Sequence, residues 1–196
     1  MSKKKSPLNL TWGTDPELML YSKKLAKIVN AIPIFQHPKD NPLDLGDGFK
    51  AYTDNVLIEF QTPPVDNKTA FVANLLSAFA RVKDAIGADY SLRAKAAQWY
   101  DYTELGEKPK GDATEIPPAW QIGCTANFDG YSGKPNDVIA FDDNHRTGSF
   151  HIHIGNADWK SGKDKRLMTP DSKLEAVRLL DIFVGCAGII LSLIHI

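Results

Sequence analysis

Asp54-Asn55-Val56-Leu57-Ile58-Glu59-Phe60 has the clearest strand pattern in this chain of 196 residues. Val56, Ile58 and Phe60 recur at every second residue, so in an extended chain they share one apolar face. Glu59 then lies on the opposite face. A carboxylate inside an apolar run must be paired, solvated or bound to a metal. The segment predicts a half-buried strand carrying a candidate metal ligand, although a surface position is the simpler interpretation of Glu59 taken alone.

Two further extended segments also place reactive side chains on one face. Gly13-Thr14-Asp15-Pro16-Glu17 spaces Asp15 and Glu17 two residues apart, so their carboxylates point to the same side of a strand. His151-Ile152-His153-Ile154-Gly155 does the same for two imidazoles. Such a pair can bind a metal, although hydrogen-bonded histidines on a half-buried strand give the same pattern. Arg146, just upstream, carries a permanent positive charge, and arginine is the usual partner of a phosphate or carboxylate group.

The candidate ligands, carboxylates together with imidazoles, favour Mg²⁺ or Mn²⁺ over structural zinc. Oxygen-rich sets suit Mg²⁺ or Mn²⁺, whereas structural zinc prefers sulfur and nitrogen. The sequence therefore predicts a Mg²⁺ or Mn²⁺ site built from several strands.

The composition argues against several classes of partner. Lys+Arg number 23 and Asp+Glu 24, so near-neutral charge gives no electrostatic reason to expect nucleic acid or an anionic membrane. Cys124 and Cys186 are too few for a disulfide scaffold, and a reducing cytoplasm is predicted. The apolar residues 181–196 are shorter than the roughly 20 residues that a membrane span needs. No membrane helix is predicted.

The order of the predicted elements favours an α+β fold. Strands are expected at 12–21, 56–61, 119–125, 138–141 and 149–154, helices at 67–86 and 173–190, and a long loop at 36–52. Strands and helices do not alternate regularly, so an antiparallel or mixed sheet with helices on one face fits best. The segments 22–30 and 90–100 are compatible with either type of structure.

The helix at 67–86 has one apolar stripe, and Gly87 follows it as a stop signal. We expect this stripe to pack into the core rather than to bind a cofactor. Its members are Phe71, Leu75, Leu76, Phe79 and Val82.

The two ends are expected to differ from the folded domain. Residues 1–11, with three successive lysines, predict a disordered basic tail. Residues 12–190 form the predicted domain. Residues 191–196 read as the in-frame translation of a common sequencing-library adapter, so we expect this tail to be non-native and the domain to be truncated at its C-terminus. His195 is therefore not a site candidate.

In their order and spacing, these segments resemble the phage-type carboxylate–amine ligases (COOH-NH2 ligase type 2), which belong to the glutamine synthetase-like amidoligases. The resemblance covers about residues 12–181. It is carried by 13–17, 54–60, Ile122-Gly123-Cys124, Phe128 to Tyr131, Asn136, Arg146, 151–155 and Leu180-Asp181.

Three features depart from the family pattern. The family often has an acidic residue soon after its Gly-Cys, whereas Thr125-Ala126-Asn127 stands here. Small residues usually precede the histidine strand, whereas this chain has Ser149-Phe150. The family's C-terminal strand with glutamate and arginine has no counterpart, which agrees with the expected truncation.

The resemblance implies a glutamine synthetase-like sheet whose concave face binds ATP and Mg²⁺ or Mn²⁺. It implies phosphorylation of a carboxylate by ATP and attack of an amine on the acyl phosphate, with small-molecule or peptide substrates. The implied site residues are the metal ligands Glu17, Glu59, His151 and Asp15, the nucleotide ligands Arg146 and His151, and the catalytic residues Arg146 and His153.

Other functions stay open at this point. Two histidines with carboxylates also serve metal-activated water in hydrolases. An inactive metal-binding fragment is a further alternative. A cupin-like dioxygenase would need a glutamate shortly after the second histidine, where this chain has Asn156-Ala157-Asp158.

Overall fold

The computed structural model describes residues 9–108, 117–121, 132, 134, 144–158 and 169–182. In chain order, its elements are β1 (Leu10–Ser22), β2 (Lys27–Val29), β3 (Leu43–Gly46), β4 (Phe49–Asp54), β5 (Leu57–Gln61), α1 (Lys68–Ile86), β6 (Tyr90–Arg93), β7 (Ala97–Trp99), α2 (Tyr102–Leu105), a 3₁₀ helix (Pro118–Trp120), β8 (His145–Thr147), β9 (Phe150–Asn156) and α3 (Pro170–Leu180).

A sheet of seven strands is built around β1. Its order is β2-β1-β5-β4-β3, and β6 and β9 also pair with β1, while β7 and β8 form a separate pair. The pairs of β1 with β2, β5 and β6 are antiparallel, as are β3–β4 and β4–β5. The predicted α+β class with an antiparallel sheet is confirmed.

Helix α1 packs on one face of this sheet. Asn67 caps it, because its side chain accepts a hydrogen bond from the Ala70 N–H at 2.9 Å, and Gly87 ends it with φ 78°. Ala78 and Val82 are fully buried against strand residues of the core. The predicted stripe is wrong at Leu76, which is 65 % exposed because it lies off the face that meets the sheet.

The opposite face of the sheet carries a second apolar cluster. Met19 and Leu57 alternate with the residues that face α1, and they pack against Leu105 of α2 and Trp120 of the 3₁₀ helix. The prediction of helices on one face therefore holds for α1 but not for α2.

The predicted loop at 36–52 is wrong in its second half. Strands β3 and β4 form a hairpin there, and the turn uses positive φ at Gly46 (80°), Asp47 (54°) and Gly48 (83°). Asp-Gly pairs tolerate this left-handed backbone, so they favour tight hairpins.

Other predicted elements are adjusted or lie outside the described residues. The ambiguous segments 22–30 and 90–100 contain strands β2, β6 and β7. Ala119 and Trp120 belong to a 3₁₀ helix instead of a strand, and the predicted strand at 138–141 lies outside the described residues. Helix α3 begins at Pro170, three residues earlier than predicted, because Thr169 caps it.

The chain divides into two compact units. One comprises residues 11–124 and 140–155 and contains α1 and nearly all of the seven-stranded sheet. The other comprises residues 1–10, 125–139 and 156–196 and contains α3. Among the residues that the structure describes, no helix is long and apolar enough to cross a membrane.

Candidate metal centre

Strand register brings three carboxylates together on one face of the sheet. Glu17 on β1 stands directly opposite Glu59 on β5, and Tyr52 on β4 stands opposite Glu59 from the other side. Asp54, two residues after Tyr52, shares its face. One carboxylate oxygen from each of Glu17, Asp54 and Glu59 lies within 4.8 Å of the other two. Three adjacent strands thus converge on a volume that one cation could occupy.

Glu59 is the most buried member of this group, with 3 % of the residue exposed. Its Oε1 accepts a hydrogen bond from the Tyr52 hydroxyl at 2.7 Å, and that hydroxyl accepts one from Gln61 Nε2 at 3.0 Å. Its Oε2 is buried and has no hydrogen-bond partner among the described residues. A buried carboxylate oxygen without a donor is costly, so this atom is suited to a cation.

The protonation state of Glu59 reflects this environment. Burial raises the pKa of Glu59 to about 8, the hydrogen bond from Tyr52 opposes that shift, Asp54 adds to it and Lys39 opposes it. Burial also raises the pKa of Tyr52, which keeps its hydroxyl protonated as a donor. A divalent cation would favour the ionised form of Glu59.

Lys39 supplies a positive charge at the rim of the group. Its Nζ lies 3.2 Å from Asp54 Oδ2, 3.7 Å from Glu59 Oε2 and 5.5 Å from the centre of the Tyr52 ring. Half of its side chain is exposed. The ammonium group therefore partly neutralises the carboxylates while remaining in contact with solvent.

Glu17 is held by the start of β9. Its Oε2 accepts a hydrogen bond from the Ser149 N–H, and its own N–H donates to the Ser149 carbonyl, both at 2.8 Å. The chain can approach this closely because Gly148 precedes Ser149. A Cβ at Gly148 would lie 3.2 Å from the Glu17 carbonyl oxygen. One oxygen of Glu17 is thereby fixed in position.

The two predicted histidines meet at Asp15. Nε2 of His153 lies 2.8 Å from Asp15 Oδ2, and Nδ1 of His151 lies 3.4 Å from Asp15 Oδ1. The alternation predicted for β9 accounts for this. It puts His151 and His153 on one face of the strand and Ile152 and Ile154 on the other, so both imidazoles can reach Asp15. Asp15 and the histidines form a group of their own, beside the three carboxylates and on the same face of β1 as Glu17.

Arg146, predicted to bind nucleotide, is buried among hydrogen-bond acceptors of the fold. It is 1 % exposed, and within the described part of the chain its guanidinium donates to the Ala119 carbonyl at 2.7 Å, to the His145 carbonyl at 2.8 Å and to Asn55 Oδ1 at 3.1 Å. Its Cζ atom also lies over the Trp120 ring, 5.0 Å from the ring centre. Ala119 and Trp120 belong to the second apolar cluster. Within the described residues, Arg146 forms no ion pair with Glu17, Asp54 or Glu59.

Sequence reasoning missed Asp54, Tyr52 and Lys39 as members of the site. Asn55 has a left-handed φ of 54° and makes the turn between β4 and β5, which folds Tyr52 back beside Glu59. The signal was present, because an asparagine between two alternating segments is typical of a tight hairpin.

Comparison of the chain with protein-family models, with curated proteins and with solved structures found no match.

Proposed function

We propose that this protein is an ATP-dependent carboxylate–amine ligase with a glutamine synthetase-like sheet. The observation that carries the proposal is the convergence of Glu17, Asp54 and Glu59, with oxygens within 4.8 Å of one another and one buried Glu59 oxygen left without a hydrogen-bond donor. Of these three residues, Glu17 and Glu59 are also the metal ligands that the resemblance to the amidoligases implies.

The donor set fits Mg²⁺ or Mn²⁺. Both are hard cations that prefer carboxylate oxygens, and Mg²⁺ keeps several waters and binds through few carboxylates together with substrate phosphates. When bound, such an ion neutralises the charge that develops on phosphate oxygens during transfer.

Neighbouring side chains position the three carboxylates. Tyr52 and Gln61 form a hydrogen-bonded chain that ends on Glu59, and the Ser149 N–H orients Glu17. A site held by strands and by hydrogen-bonded neighbours keeps its geometry before substrate arrives.

The proposed reaction has two stages. ATP phosphorylates a carboxylate, and an amine then displaces phosphate from the acyl phosphate to give an amide. We propose small-molecule or peptide substrates and a cytoplasmic location, with neither nucleic acid nor membrane as a partner.

The test is the metal-dependent formation of ADP and of amide from a panel of carboxylic acids and amines. Both products should appear with Mg²⁺ or Mn²⁺, disappear with EDTA, and disappear in Asp54→Asn. Asp84→Asn, which removes an exposed carboxylate of α1, is the matched control and should behave as the parent protein.

Two results contradict the proposal. Substrate cleavage without ATP would identify a metal-dependent hydrolase instead. Tight Mn²⁺ binding with no ADP formed from any acid and amine pair would indicate a metal-binding protein without ligase activity.

A further inference from the structure

A cavity of about 310 Å³ lies between the start of β9 and helix α1. Pro16 and Leu18 of β1 line it, together with Phe79 of α1 and Phe150 of β9. Pro16 and Leu18 flank Glu17 in β1, so their side chains lie on the face that meets α1, whereas the Glu17 carboxylate belongs to the candidate metal centre on the other face. The cavity is therefore a separate place on the sheet from the metal centre.

The walls of this cavity are held by contacts within the fold. The ring of Phe79 packs edge-on against Phe60, with the two ring centres 5.1 Å apart. The Gly148 N–H donates to the Ala96 carbonyl at 3.0 Å, which ties the start of β9 to the segment between β6 and β7. A Cβ at Gly148 would lie 3.3 Å from the Lys95 carbonyl oxygen, so these two segments are in close contact. A cavity formed before the ligand arrives favours binding, because little order has to be imposed on it.

The lining suits the apolar part of a ligand. Most of the residues that line the cavity are apolar, and Phe150 is 50 % exposed. A ligand that covers this ring removes apolar surface from water. At about 30 Å³ for each non-hydrogen atom, which is the share of one molecule in liquid water, the cavity holds about ten such atoms. The ligand is therefore a small molecule with an apolar body.

Lys95 gives the cavity a positive charge. Lys95 and Glu17 are the ionisable groups among the described residues that line it. The Glu17 carboxylate accepts a hydrogen bond from the Ser149 N–H and lies with the other carboxylates of the candidate metal centre, so its charge is directed to the opposite face of β1. Lys95 is exposed, and its Nζ donates to the neutral Gln98 Oε1 at 2.6 Å. Lys95 forms no ion pair within the described part of the chain, so its charge can attract an anionic ligand.

We propose that this cavity binds a straight-chain carboxylate of about eight carbons, with its alkyl chain against Phe79 and Phe150 and its carboxylate on Lys95 Nζ. A carboxylate of this length fills the volume, and its charge is complementary to that of the ammonium group. A cationic amphiphile would place a like charge beside Lys95, and a neutral one would lose the charged hydrogen bond. The site does not depend on the ligase function proposed above.

The experiment measures octanoate binding to the protein by calorimetry and by NMR titration, without ATP and in EDTA, so that no metal ion can hold the carboxylate. Butyrate, hexanoate, octanamide and octylamine are the comparison ligands. We expect octanoate to bind most tightly, octanamide more weakly and octylamine not at all. Each methylene group that enters an apolar cavity raises affinity by up to about fourfold, so affinity should rise from butyrate through hexanoate to octanoate.

Lys95→Gln tests the contact with the carboxylate. It should weaken octanoate binding by about fivefold, the upper value for an exposed ion pair, and should leave octanamide binding unchanged. Lys95→Arg keeps the positive charge and should retain octanoate binding. Lys24→Gln, at an exposed lysine between β1 and β2, is the matched control and should change nothing.

Phe150→Ala tests the contact with the alkyl chain. It should reduce the gain in affinity from hexanoate to octanoate, because the chain loses one wall of the cavity, and the half-exposed position lets the fold tolerate the change. Leu25→Ala, at an apolar residue that is 58 % exposed, is the matched control.

The expected losses in Lys95→Gln and Phe150→Ala support the site whatever the ADP assay gives. Three results overturn it even if the protein forms ADP. These are the absence of octanoate binding, binding of octanamide or octylamine as tight as that of octanoate, and unchanged octanoate binding in either variant.

Discussion

Glu59 and Arg146 are both almost fully buried, at 3 % and 1 % exposed, but their surroundings satisfy them to different degrees. Arg146 donates to two backbone carbonyls and to Asn55, and its guanidinium lies over an indole ring. Glu59 has one oxygen bonded to Tyr52 and the other without a donor among the described residues.

The difference favours a structural role for Arg146 and is the basis for the cation-binding role proposed for Glu59. Burying a charge is costly, and hydrogen bonds that surround it offset that cost only when they are complete. Arg146 donates from Nε, Nη1 and Nη2 to acceptors within the fold, so it ties β8 to the 3₁₀ helix. The Oε2 of Glu59 has no hydrogen-bond donor among the described residues, so an added cation would offset part of the cost of burying it.

Arg146→Lys tests the structural side and should have the largest effect. Lysine cannot reproduce the fork that donates to Ala119, His145 and Asn55, so unfolding free energy should fall by about 2–4 kcal/mol. Urea denaturation measures it. Arg93→Lys, at an exposed arginine stacked on Tyr21, is the control and should change stability little. A stable Arg146→Lys protein that binds metal but forms no ADP would restore the phosphate-binding role that the sequence suggested.

Glu59→Gln tests the binding side. The side chain keeps its size but loses its charge, so Mn²⁺ affinity should fall by at least about 100-fold, because a direct ligand should matter no less than the outer-shell partners of metal sites. Calorimetric titration measures the affinity. Glu107→Gln removes an exposed carboxylate and should leave affinity unchanged. Equal Mn²⁺ affinity in parent and Glu59→Gln would make Glu59 an ordinary strand residue.

In metal-free protein, the burial of Glu59 should make the free energy of unfolding depend on pH. The pKa of Glu59 rises from its ordinary 4.5 to about 8 on folding, so between these values the folded state holds a proton that the unfolded state has lost. Stability should therefore fall as pH rises from about 5 to about 8. Urea denaturation in EDTA should show this fall in the parent and a smaller one in Glu59→Gln. Identical slopes would mean that Glu59 ionises normally, and added Mn²⁺ should offset the loss near pH 8 in the parent.

Lys39→Gln should have the smallest effect and the opposite sign. Lys39 contacts Asp54 and Glu59 from a half-exposed position, so it competes with an added cation for the same oxygens. Exposed ion pairs contribute about 0.2–1 kcal/mol, so Mn²⁺ affinity should rise by up to about fivefold. Lys83→Gln on α1 is the matched control. A weaker affinity in Lys39→Gln would show that this lysine supports the metal centre instead of competing with it.

Local patterns predicted the parts of the site that depend on alternation alone. Asp15, Glu17, His151 and His153 share one face of their strands because side chains alternate in any extended chain. The same patterns could not show that Glu17 stands opposite Glu59, since strand register depends on which segments pair. The β4–β5 hairpin that brings Tyr52 and Asp54 to the site was missed because residues 36–52, which contain most of β4, were interpreted as a long loop.

The sequence by itself determined the α+β class, the helix between Asn67 and Gly87, and the strand faces that carry carboxylates and imidazoles. These follow from periodicity and capping, which act within a few residues. Only the tertiary structure decided that Arg146 is enclosed by backbone carbonyls, that Asp54 joins Glu17 and Glu59, and that the histidines meet Asp15. Those contacts join residues up to 138 positions apart, from Asp15 to His153, so they depend on strand pairing and packing, which no local pattern encodes.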